Sequence, residues 1–239
     1  MDSRPSDKSV RSFWPRLWTW GVLVGLLLIM IVAIGMFEAS RRVPEWYCPA
    51  LVLPEEHQQI RDELQRLLTR FNNNMQRNRR FTFLVDAQQI NRWLGAPQAI
   101  DQQWANLTDG SFADPMVQLI DDEIILSATV KRSVFYGVLQ ARVRTYIRDD
   151  RVFLTIKQVR LGSLPLPTSW MTNQINRRLG LVWAELTEAA VDFIPGRGWS
   201  LPVHLHYSSS GYDVHIEKMV VSPGQLLLEI QPVRRVKER

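Results

Sequence analysis

The hydrophobic positions of this chain fall into three patterns: one continuous run, stripes at spacings of three and four, and strict alternation. The continuous run is Leu17–Phe37, with no charge, no proline and one polar side chain, Thr19. At 1.5 Å per residue a helix of that length spans about 30 Å, the thickness of a bilayer's hydrocarbon core. Stripes come next. Ile60, Leu64, Leu67, Leu68 and Phe71 predict an amphipathic helix from Pro54 onward, which the run Asn72-Asn73-Asn74 is expected to end. Phe81–Val85 has the composition of a short strand. Asp86 can cap a second helix with Gln89 as its capping-box partner, Ile90, Trp93 and Leu94 as its apolar face, and Gly95 and Pro97 as its stop.

From residue 115 to 161 the period falls to two. Met116–Leu119, then Ile124, Leu126, Ala128 and Val130, then Leu139, Ala141, Val143 and Ile147, then Val152, Leu154 and Ile156 predict an antiparallel meander. Asp121-Asp122 and Asp149-Asp150 are read as its turns and not as paired catalytic acids. Gly162-Ser163-Leu164-Pro165-Leu166-Pro167 is expected to break the sheet, with Thr168 or Ser169 capping a long helix. On that helix Met171, Ile175, Leu179, Val182, Leu186 and Ala190 form a stripe, until Pro195 and Gly196. Three more strands follow: Leu201–Tyr207, Tyr212–Val221 and Gln225–Val233. The order predicts an α+β domain in which an antiparallel sheet packs on a long amphipathic helix.

Charge places the apolar run in a layout. Arg4, Lys8, Arg11 and Arg16 precede it and Arg41 and Arg42 follow, a bias that favours a cytoplasmic tail at 1–16 and an extracytoplasmic domain. The division is then a transmembrane helix at 17–37, a linker at 38–53 broken by Pro44 and Pro49, the α+β domain at 54–233 and a basic tail at 234–239. A cleaved signal peptide is the rival reading. Its apolar region would be shorter, and a cut near Ala39 or Ser40 would put Phe37 or Glu38 where a small residue belongs. The net charge of +5 comes from several groups, among them Arg142, Arg144 and Arg148, and no nucleic-acid motif accompanies them. The single cysteine, Cys48, excludes an intramolecular disulfide.

The anchor, the segment Phe81–Leu94, the meander and the strand entering Leu161-Gly-Ser-Leu-Pro-Leu-Pro167 together resemble the YpmS family of single-anchor bacterial envelope proteins. More distantly they are similar to LmeA-like and tubular lipid-binding (TULIP) proteins. The resemblance implies a curved sheet wrapping a long helix, an apolar groove able to hold an acyl chain, and no shared catalytic residues.

Two constellations could carry function. The helix at 168–190 has more apolar surface than one sheet face needs, and Trp170, Met171, Ile175, Leu179, Val182 and Leu186 would line a lipid groove or fill a core. A filled core would instead suit a module that docks on an envelope protein partner. The second constellation is a hairpin. If Tyr207 pairs with Tyr212, then Val203, Leu205, Val214 and Ile216 share one face, while His204 stands opposite His215 and His206 opposite Asp213. Three imidazoles and a carboxylate at that spacing could hold a metal such as zinc. No G-x-S-x-G elbow, P-loop or H-E-x-x-H motif is present, so the expectation is a non-enzymatic protein without a cofactor.

Overall fold

The computed structural model describes residues 14–96, 112–132, 135–169, 192–194, 198–205 and 211–234. Its first element is helix α1 (Trp14–Arg41), whose apolar side chains from Val24 to Phe37 are exposed. Val24–Arg41 has the length and apolarity to cross a membrane. A short 3-10 turn, Pro54–Glu56, then leads into α2 (His57–Gln76). The Asn72-Asn73-Asn74 run does not end α2. Met75, four residues beyond Phe71, is wholly buried against Val214 and Ile230, and its packing carries the helix past three residues of poor propensity.

Strand β1 (Phe81–Asp86) runs directly into α3 (Ala87–Gly95) through the expected cap. The Asp86 carboxylate accepts from Gln88 N at 2.7 Å, and Asp86 N donates to Gln89 Oε1 at 3.4 Å. The meander follows as β2 (Phe112–Ile120), β3 (Glu123–Arg132), β4 (Phe135–Arg148) and β5 (Arg151–Leu161). Its aspartates are turn residues: Asp122, Asp149 and Asp150 all have positive φ, the backbone a tight hairpin turn requires.

Gly162–Pro167 does not simply break the sheet. Leu164–Leu166 folds back on β5 as β6, and residues 168 and 169 are already helical. Residues 170–191, which hold most of the expected long helix, lie outside the described residues. Beyond them come β7 (Asp192–Ile194), β8 (Gly198–Pro202), β9 (His204–Leu205), β10 (Tyr212–Ser222) and β11 (Gln225–Arg234).

The strands form two antiparallel sheets. One runs β2-β3-β4-β5-β8-β7 with β6 on β5, and the other β1-β11-β10-β9. The architecture is therefore α+β with a large antiparallel sheet. The expected single strand 201–207 is split between the sheets. Pro202, which has no N–H, ends β8; Val203 then donates to Asp150 O at 3.0 Å and accepts from Ile216 N at 2.9 Å, joining the sheets through its own peptide groups. At another point the β10–β11 turn ties them again: Gly224 N donates to Leu119 O, and its carbonyl accepts from Ala87 N.

Two bulges explain apolar patterns that change parity within a strand. Along β5, Val152, Leu154 and Ile156 are even-numbered while Val159 and Leu161 are odd-numbered. The register slips by one residue between the two sets, so both sets face the same side. The same shift on β10 puts Ile216 and Met219 on one face with Ile230 and Leu228. The segment 38–53, expected as a linker, touches the domain at separate points, while Val43, Leu51 and Leu53 stay exposed. Tyr47 is buried, its hydroxyl 2.5 Å from Asp114 O and 2.9 Å from Thr129 Oγ1, and Val52 packs against Ile60 and Ala96.

Candidate functional site: the apolar face of the large sheet

Register defines one face of the large sheet. Val117 pairs with Leu126, Leu126 with Ala141 and Ala141 with Val159, so these four side chains form a row across β2 to β5. The next row is Leu119, Ile124, Val143 and Ile156, and on the other side lie Ala128, Leu139 and Leu161. No charged or polar side chain interrupts these rows. On the opposite face Arg142, Arg144 and Arg148 are exposed, with Arg142 3.4 Å from Glu123, while Ile125, Ser127, Thr129 and Val138 are buried, Thr129 against the Tyr47 hydroxyl.

Burial within the central row is uneven. Val117, Ala141 and Val159 are 9%, 5% and 0% exposed, yet Leu126 between them is 44% exposed. Holding a leucine half in water within an apolar row forgoes on the order of 1 kcal/mol of burial free energy. α3 and the β10–β11 turn close one end of this face, where Val117, Leu119 and Val221 pack with Ile90, Leu94 and Leu226. Leu139, Ala141 and Val159 form a separate cluster with Phe112 and Leu166.

The expected lining residues Trp170, Met171, Ile175, Leu179, Val182 and Leu186 lie outside the described residues. α2 packs its stripe away from this face: Ile60 on Ala96, and Phe71 and Met75 on the smaller sheet. The hollow along its outer side is polar, lined by Asp62, Arg66, Arg70, Asn73 and Arg77. The sequence pattern points to the helix at 168–190, most of which lies outside the described residues. The sheet side, Leu126 above all, was legible as an alternating strand but not as a partly open face.

The histidine hairpin has the expected register where it is described. His204 pairs with His215 and Leu205 with Val214, and the two imidazoles stack with centroids 4.2 Å apart and planes 25° apart. The Ile216–Val203 bond makes 204–215 a non-hydrogen-bonded pair, the kind whose side chains lie closest. His206 lies outside the described residues, so its expected place opposite Asp213 does too. His215 Nδ1 is buried without a hydrogen-bond partner. A metal-ligating histidine normally donates its second ring N–H to an acceptor, and a metal on Nε2 would put that proton on the unpartnered Nδ1. Among the described residues no group of three His, Cys, Asp or Glu could hold a metal ion.

Among the described residues, Tyr47 is the titratable group that is shifted. Burial pushes the Tyr47 phenol above its ordinary value of 10.0; its bond to Thr129 opposes this and the nearby Asp114 carboxylate adds to it. Its role is structural, pinning the segment after α1 to β2 and β3. No protein-family model, curated protein or solved structure matches the chain, so the likeness to YpmS- and LmeA-type proteins rests on the pattern of its residues alone.

Proposed function

We propose that this chain is a single-pass membrane protein whose α+β domain binds a lipid or another apolar ligand between the large sheet and the helix at 168–190. The observation that carries this reading is Leu126, half exposed in the middle of an otherwise buried apolar row. An apolar face with an exposed leucine among buried neighbours suits a site that an acyl chain completes. The domain acts by burial and not by bond chemistry. The excess of Lys and Arg before the apolar run at 17–37 supports a cytoplasmic N-terminus and an extracytoplasmic domain, and the exposed apolar side chains of α1 support its retention as an anchor.

The test is photo-crosslinking of the full chain, reconstituted in vesicles, with a phospholipid carrying a diazirine on its acyl chain. Adducts on α1 serve as the internal control. Adducts on β3 and β5 around Leu126 and Ile156, reduced by Leu126→Glu, support the reading. Adducts confined to α1 overturn it in favour of a filled domain that docks on an envelope protein.

A further inference from the structure

The anchor is not tethered to the domain by a loose linker. The Ala39 carbonyl, in the last turn of α1, accepts from Ser163 N at 2.9 Å and from Ser163 Oγ at 3.0 Å. Gly162 passes so close that a β-carbon there would meet the carbonyl oxygens of Ala39 and Ser40, and Ser40 is 4% exposed. Gly162 N donates in turn to Val138 O at 2.8 Å, and Gln140 Nε2 donates to Gly162 O at 3.3 Å. A continuous run of bonds thus leads from the membrane helix into β4.

This joint sets the C-terminal turn of α1 beside β4 and β6. Phe37, the last exposed apolar side chain of α1, is two residues before Ala39, a rise of about 3 Å. Past Val138, β3 and β4 continue as the pairs Lys131–Tyr136 and Arg132–Phe135, at about 3.3 Å per residue. Tyr136 is 44% exposed, as is more than half of the Lys131 side chain, whose ammonium lies 3.8 Å from the Asp114 carboxylate. Such an exposed pair is weak and leaves the ammonium able to meet another anion. Arg41 and Arg42, which follow Ala39 and Ser40 in the chain, are exposed. An aromatic ring with a polar tip, beside basic groups, is the chemistry of the headgroup layer.

We infer that the paired ends of β3 and β4 form a second contact with the bilayer, Tyr136 entering the headgroup layer and Lys131 meeting lipid phosphates, held there by the Ala39–Ser163 joint. This rests on the reading of α1 as a retained anchor. The partner is the surface of the same membrane that holds α1.

The experiment uses the full chain with Cys48→Ser and a single new cysteine, Tyr136→Cys, carrying an environment-sensitive dye. A second chain carries the dye at Arg148→Cys, at the far end of β4. Both are reconstituted in vesicles of phosphatidylcholine and phosphatidylglycerol containing headgroup-level spin-labelled lipid. The expected result is quenching several-fold stronger at 136 than at 148, with the dye at 136 shielded from aqueous iodide. Equal lipid quenching and equal iodide access at the two positions, in protein that floats with the vesicles and resists alkaline extraction, would overturn this contact alone. Protein that does not float would overturn the anchor reading and this contact with it.

Discussion

Gly162 and Ala39 meet where no side chain fits: a β-carbon on Gly162 would stand 2.5 Å from the Ala39 carbonyl oxygen, and Gly162 has φ +59°. The left-handed backbone and the close approach both require glycine here. Gly162→Ala is expected to destabilise the chain by about 2–4 kcal/mol, adding the left-handed penalty to the displacement of two backbone carbonyls. Gly224 is the control. It has φ +78° but nothing within 4 Å of an added β-carbon, so Gly224→Ala is expected to cost only about 1 kcal/mol. Denaturant midpoints of the two variants in mild detergent check the difference.

Tyr47 holds the segment after the anchor to the sheet. Tyr47→Phe keeps the buried ring and removes the hydroxyl that joins Asp114 O and Thr129 Oγ1, a loss of about 1–2 kcal/mol. The variant also has a pH signature. Because burial raises the folded-state pKa of this phenol above 10.0, the unfolded chain loses the proton first as the pH climbs. Stability from this group is fully present below pH 10 and is lost as the pH rises through the folded value. Tyr47→Phe is expected to show a shallower alkaline loss of stability than the parent, measured as midpoints between neutral pH and about pH 11.

Cys48 reports topology. It is exposed and lies seven residues beyond the end of α1, and it is the sole cysteine of the chain. A membrane-impermeant maleimide is expected to label it in intact cells, or in spheroplasts where an outer barrier exists. Labelling only after the inner membrane is permeabilised would place the domain on the cytoplasmic side.

The stacked pair His204–His215 leaves a buried ring nitrogen without a partner. His215→Phe keeps a flat ring over His204 and removes that nitrogen. The expected outcome is a gain of up to about 1 kcal/mol, read as a higher unfolding midpoint.

The sequence made its local chemistry legible. The Asp86 cap with Gln89, the turn aspartates at 122, 149 and 150, and the pairing of His204 with His215 depend on neighbours a few residues away or on a parity shared by two short strands. What escaped is set by distant partners. The bulges on β5 and β10 shift parity within one strand, which alternation alone cannot locate. Met75 extends α2 because Val214 and Ile230, more than a hundred residues on, bury it. Val203 changes sheets because Pro202 ends one ladder while Asp150 and Ile216 offer bonds on either side. The joint between Ala39 and Ser163 has no local signature at all, beyond a glycine whose purpose only the contact explains.

If an acyl chain completes the apolar face at Leu126, native mass spectrometry of the full chain detects it. The chain would be released from detergent micelles in the gas phase and stripped of detergent by collisional activation, beside a Leu126→Glu variant shown to be folded by its unfolding midpoint. The expected result is one lipid-sized mass that stays with the parent after the detergent is gone, leaves on denaturation, and is reduced in the variant. A parent chain that carries no lipid, or a lipid retained equally by both chains, would contradict it.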